Sequence, residues 1–198
     1  MRLLRLAAFL APIFPSVLSA QAASVPPADE QIAAAVLPLP EGMRAGATVM
    51  GYKTAGKLEV LRPGTNGMNC LALYVSRPDF HVACYHKGLE AFMARGREIR
   101  EKMGARANVD SIRFAEVTAG KLKMPAQGAL YTISGKKESW NATTKKASQV
   151  TPLSVVYIPG ATQENSGLSI APLPSGSPWL MFPGTAKAHI MLVGTMTP

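Results

Sequence analysis

The residues best suited to chemistry in this chain are few and cluster around two cysteines. His81, Cys84 and His86 stand close together, and Cys70 lies upstream. Two thiolates and two imidazoles could make a tetrahedral zinc-type site. A strand over 80–85 weighs against it, because alternate side chains leave opposite faces and His81 then points away from Cys84. His86 falls where a helix begins, and the positive end of a helix disfavours added cationic charge. A disulfide fits the same pattern better. An antiparallel register that sets Cys70 opposite Cys84 also sets Ala72 opposite Val82 and Tyr74 opposite Phe80, with 76–78 as the turn. All six side chains then share one apolar face, and directly opposed residues lie within the Cα separation a disulfide tolerates. The metal reading and free thiols remain the alternatives; neither a metal nor a cofactor is expected.

Outside that cluster the candidates thin out. His189 is the only histidine in the last hundred residues, and Glu164 is the only carboxylate after Glu138. An acid/base pair of Glu164 and His189 is the least strained catalytic proposal, while a structural histidine within a strand is the competing reading. The run Pro178-Trp179-Leu180-Met181-Phe182-Pro183 carries large apolar side chains in a loop-like setting, where they plug a core or line a ligand groove. Trp179 and Tyr157 are therefore binding candidates, with core packing the plainer expectation for Tyr157 and surface exposure for Trp140. Lys136, Lys137, Lys145 and Lys146 make a basic loop around Trp140. Lys136 and Lys137 could touch an anionic polymer, although a solvated loop explains them as well. Neither the turn at Gly64 to Gly67 nor Gly135-Lys136-Lys137 has the spacing of a phosphate-binding loop.

These side chains must be positioned by a mixture of strands and helices. Asp29 and Glu30 sit where the first turn of a short helix favours acidic charge, and Pro38 and Pro40 end that helix. A first strand is expected over 47–52, with Gly51 weakening its interior. Strand-like runs at 57–61 and 69–75 flank the turn-forming residues 63–67 and read as a hairpin; with 80–85 they make a three-strand meander. From Lys87 to Met103 the period changes: Leu89, Phe92, Met93, Gly96, Ile99 and Met103 recur at helical steps, with Glu90, Arg97, Glu98, Arg100 and Glu101 on other faces. This predicts an amphipathic helix ending at Gly104. A second helix is expected with Asp110 as its cap. Strands follow at 129–133, 153–158 and 188–193. The Gly/Pro/Ser-rich interval 159–187 is longer than most connections in compact domains.

The amino terminus has a different character. Arg2 and Arg5 precede an apolar stretch over 6–18 and a small-residue exit at Ala20-Gln21-Ala22, the three zones of a secretory signal peptide over 1–22. Pro12 and Pro15 interrupt the apolar zone, which is shorter than the roughly 20 residues a spanning helix needs. The first cysteine, Cys70, is far from the cleavage point, so a lipoprotein anchor is not expected. A disulfide is at home in the periplasm or outside the cell. The formal net charge of +9 falls by two when the leader arginines are removed, and still favours an anionic cell-envelope component as partner; nucleic acid is not expected there.

Several segments carry a resemblance: Gly64-Thr65-Asn66 leading to Cys70, Cys84-Tyr85-His86-Lys87 running into Leu89 to Arg97, Gly120-Lys121-Leu122-Lys123-Met124-Pro125, and Pro178-Trp179-Leu180-Met181 through His189-Ile190-Met191. Together they resemble a family of small exported bacterial proteins of unknown function, over most of residues 40–191. The resemblance implies an exported single domain and carries over no activity, ligand or site residue. The expectation is thus a signal peptide over 1–22 and one α+β domain over 23–198, mainly antiparallel sheet with one longer amphipathic helix and one or two short ones. The domain should be a non-catalytic binding or interaction module; a small hydrolase-type enzyme using Glu164 and His189 is the alternative.

Overall fold

The computed structural model describes residues 24–73, 77–104 and 106–194; the expected signal peptide over 1–22 and the Tyr74 pairing lie outside the described residues. The fold is α+β, built on a mainly antiparallel sheet. Helix α1, Ala28–Ala35, begins after Pro27 with Asp29 and Glu30 in its first turn, where acidic charge meets the unpaired amides. A single turn, α2, Glu41–Arg44, leads into strand β1, Thr48–Thr54. Gly56, with a φ of +82°, turns the chain straight back into β2, Lys57–Arg62. Strands β3, Met68–Leu71, and β4, Asp79–His86, form the next antiparallel pair, in which Cys70 faces Cys84 and Leu71 faces Ala83. This is the register that alternation predicts, and the disulfide Cys70–Cys84 closes it with Cα atoms 4.0 Å apart.

The expected hairpin between residues 57–61 and 69–75 does not form. Strand β1 lies between β2 and β3, antiparallel to the first and parallel to the second. The turn-rich segment 63–67 therefore crosses over the start of β1. Gly64 passes so close that a Cβ there would sit 2.2 Å from the Thr48 nitrogen and 2.3 Å from the Ala47 carbonyl carbon. The crossing is pinned by Thr65 and Asn66 amides donating to the Gly46 carbonyl at 2.7 and 3.0 Å, and by the Arg62 guanidinium donating to the Ala47 and Arg44 carbonyls. Residues that look like a hairpin turn thus serve a crossover, since both need tight, well-satisfied backbone.

Gly51 also has a tertiary reason. The buried Gln31 side chain of α1 holds the backbone of Tyr52, donating to its carbonyl and accepting from its amide, both at 2.8 Å. A Cβ on Gly51 would come within 2.6 Å of the Gln31 oxygen. Its place in the strand reflects close approach of a helix rather than local weakness.

Beyond β4, a short 3-10 turn, Lys87–Leu89, feeds helix α3, Glu90–Met103, which ends at Gly104 with a φ of +80°, as the periodicity predicts. Its buried stripe is Phe92, Gly96 and Ile99; Met103 lies outside the stripe, exposed past the helix's last packed turn. Helix α4, Val109–Thr118, is capped by the Asn108 side chain, which accepts from the Ser111 amide at 3.2 Å, rather than by Asp110. The Asp110 carboxylate is occupied elsewhere, by Arg113 and Lys187. Strand β5, Gly128–Lys136, pairs with β4 and with β8, Thr151–Tyr157, and β8 pairs with β10, His189–Val193. Two-residue strands β6, Trp140–Asn141, and β7, Lys146–Ala147, make a separate ribbon. The long interval before β10 is ordered around a turn of helix, α5, Gln163–Ser166, and an edge strand, β9, Trp179–Met181. Among the described residues eight strands form one sheet in the order β2-β1-β3-β4-β5-β8-β10-β9.

The two faces are covered differently. Helix α1 seals Val49, Cys70, Phe80, Val82, Cys84 and Ile133 on one side. On the other, α3 packs on Tyr85, Leu89, Val155 and Tyr157 at one end of the sheet, while α4 packs against α3. Ala161, Leu180 and Ala188 form a smaller cluster that the 159–187 interval closes. No helix among the described residues is long and apolar enough to cross a membrane.

Candidate functional site

Helix α3 leaves a groove of about 230 Å³ against the sheet. Its floor is the half-buried row Leu71, Ala83 and Leu130, on β3, β4 and β5. Met93, Arg97 and Arg100 follow one another along α3 at helical steps, a stripe beside the buried Phe92, Gly96 and Ile99, and so face the groove together. Arg113 comes from α4, Lys187 from the approach to β10, and Tyr85 and Tyr157 complete the lining.

The electrostatics are unbalanced. Glu90 receives the Arg97 guanidinium, the Tyr85 hydroxyl at 2.7 Å and the Asn69 amide at 3.0 Å. Asp110 is shared by Arg113 and Lys187. Burial pushes Asp110 up, but the hydrogen bonds from Lys187 and Arg113 outweigh it and hold its carboxyl below the ordinary 3.8. Arg100 has no carboxylate partner among the described residues; its one hydrogen bond reaches the Gly96 carbonyl at 3.4 Å. Four cationic side chains therefore meet two carboxylates.

One buried side-chain polar atom on this lining is left unsatisfied among the described residues. Arg113 is only 5% exposed, lies 3.8 Å above the Phe92 ring and donates to the Phe92 carbonyl at 3.1 Å, yet its Nε has no partner. Gly96 makes the room, since a Cβ there would meet the Arg113 guanidinium at 3.0 Å. The Tyr157 hydroxyl also makes no hydrogen bond among the described residues, but it is not shut off from solvent. Buried polar groups are nearly always paired, so the Arg113 guanidinium is held here at a cost.

Tyr157 is the one residue singled out from the sequence that lies in this groove. His189 sits next to it, its ring 5.2 Å from Tyr157 and 5.7 Å from Phe182. Its Nδ1 lies 2.6 Å from the Lys187 carbonyl, which can only accept, so Nδ1 carries the proton and Nε2 the lone pair. Burial, partly offset by that hydrogen bond, holds His189 below its ordinary 6.5. Glu164 stands exposed on α5 and is not hydrogen-bonded to His189. Trp179 is half-buried on edge strand β9, opposite Met191. Lys136 and Lys137 are exposed at the end of β5. Trp140 is not the surface residue expected: it stacks on Phe80 at 5.9 Å and donates to Glu30 at 3.2 Å, because the β6–β7 ribbon folds back onto the α1 side. His81 points to the face opposite Cys84, as alternation requires, and bonds Ser134 at 2.8 Å.

Arg97, Arg100, Arg113 and Lys187 were not apparent as a group from sequence. Arg97 and Arg100 read as the solvated face of an amphipathic helix, and only Arg113, set between the apolar Ile112 and Phe114, breaks a local pattern. No family model, curated protein or solved structure matches this chain.

Proposed function

We propose that this chain is an exported, non-catalytic binding domain, acting in the periplasm or outside the cell, that takes an anionic ligand in the groove between α3 and the sheet. The observation that carries the reading is the surplus of positive charge there: Arg100 has no carboxylate partner among the described residues, and Arg113 and Lys187 share a single carboxylate. Guanidinium groups on a partly dry surface are strong anion receptors. The disulfide supports an oxidising compartment, in keeping with the signal-peptide pattern and the resemblance to small exported proteins.

The groove's chemistry favours holding over reacting. Burial raises both phenols, Tyr157 to about 12, so they stay protonated at neutral pH and serve as donors. A protonated phenol is neither a base nor a ready nucleophile. The test is amide chemical-shift mapping with an anion panel at low and physiological salt. Shifts should gather at Arg97, Arg100, Arg113 and Tyr157 and weaken with salt. Shifts confined to the lysine-rich segment 136–146 would move the anion site off the groove and defeat the proposal.

A further inference from the structure

We infer that the ligand of this groove is a small organic phosphate monoester, a dianionic head on an apolar body; the inference rests on the anion-binding reading above. Three observations narrow the class. Among the described residues the charge surplus amounts to two, since four cations meet the two carboxylates of Glu90 and Asp110, and a phosphate monoester carries close to two negative charges above its second pKa of about 6. A monocarboxylate would leave one cation unmatched. Donor side chains line the groove from separate elements: the Arg113 guanidinium on α4, the Tyr157 hydroxyl on β8 and the Arg100 guanidinium on α3. Donors on several elements suit a tetrahedral head with three acceptor oxygens better than a planar one.

The floor supplies the other half of the specificity. Leu71, Ala83, Leu130 and Met93 are half-buried apolar side chains lining the same groove. Inorganic phosphate would leave that surface wet, whereas an aryl or short alkyl group would cover it and gain from its burial. The volume of about 230 Å³ lies below the ~300–1,000 Å³ typical of sites for larger ligands, which keeps the body small.

Calorimetric titration of the purified, disulfide-intact protein at pH 7.5 tests this with phenyl phosphate, inorganic phosphate and benzoate as probes. Phenyl phosphate should bind about tenfold or more tightly than either of the others, because only it offers both the second charge and the apolar body. Arg100→Met should weaken phenyl phosphate by about tenfold while leaving the melting temperature unchanged, since Arg100 makes no ion pair among the described residues. Lys137→Met, outside the groove, should change nothing. Inorganic phosphate binding as tightly as phenyl phosphate overturns the apolar body, and benzoate doing so overturns the dianionic head; in both cases the anion-binding reading survives. Full affinity in Arg100→Met overturns the proposed placement. Failure of all three probes to bind overturns this inference and the broader reading together.

Discussion

Under α1 the sheet presents Val49, Cys70, Phe80, Val82, Cys84 and Ile133, none more than 2% exposed, and a disulfide joins two of them. Under α3 and α4 the neighbouring positions on the same strands are Leu71, Ala83 and Leu130, half-buried and bordered by guanidinium and phenol groups. One strand, β4, feeds both: Phe80, Val82 and Cys84 go to the sealed side, His81, Ala83 and Tyr85 to the other. The difference is one of completeness. The α1 side is closed by apolar packing and a covalent bond. The α3 side retains an unpaired buried donor and half-buried apolar surface, features that cost stability and persist most readily where they bind something.

If the two faces divide stability from recognition in this way, substitutions should separate the two properties. The largest effect should come from Phe80→Ala, which empties a fully buried position and removes the stacking partner of Trp140; about 3–5 kcal/mol of unfolding free energy should be lost in urea titrations, with ligand affinity unchanged. Replacing Cys70 and Cys84 together by alanine should cost about 3 kcal/mol by freeing the unfolded chain, measured in the same way; a loss below about 1 kcal/mol would break the claim that the cross-link anchors the sealed side.

On the open side the effects should be smaller and of a different kind. Asp110→Asn removes the carboxylate shared by Arg113 and Lys187, and should cost about 1–3 kcal/mol while tightening anion binding, because the groove gains positive charge. The folded carboxyl lies below 3.8, so its contribution is present above that pH and is lost as pH falls through the folded value. The acid limb of a melting-temperature profile should therefore be shallower in the variant. His189 titrates in the opposite chemical sense. The unfolded chain takes up a proton as pH falls through 6.5, while burial keeps the folded side chain neutral until lower pH, so stability declines as pH drops below 6.5. His189→Gln should flatten that decline, leaving the part due to His81, which burial likewise lowers, followed by repulsion from Arg77. The smallest stability change belongs to Arg100→Met, within about 0.5 kcal/mol. A large loss there would mean that Arg100 supports the fold and that the division between the faces is false.

Much of the framework was legible before the structure. Alternation over 80–85 set the Cys70–Cys84 register, the helical steps from Leu89 to Ile99 with Gly104 beyond them marked α3, and the later strands fell where β-forming runs lay. Each of these signals is local, because a side chain's face follows from the two-residue or 3.6-residue period of its own element. The place of β1 between β2 and β3 was not legible, since a turn-rich segment satisfies its backbone equally well as a hairpin or as a crossover, and only the partner strand decides. Nor was the groove. Arg97, Arg100, Arg113 and Lys187 lie on α3, on α4 and before β10, and each alone resembles an ordinary surface cation. The sequence by itself determined the main strands and helices, the register that brings Cys70 and Cys84 together and which side of β4 is apolar. Only the tertiary structure decided which strands are neighbours and which charges converge, because those depend on contacts between segments far apart in the chain, whose energies no local period records.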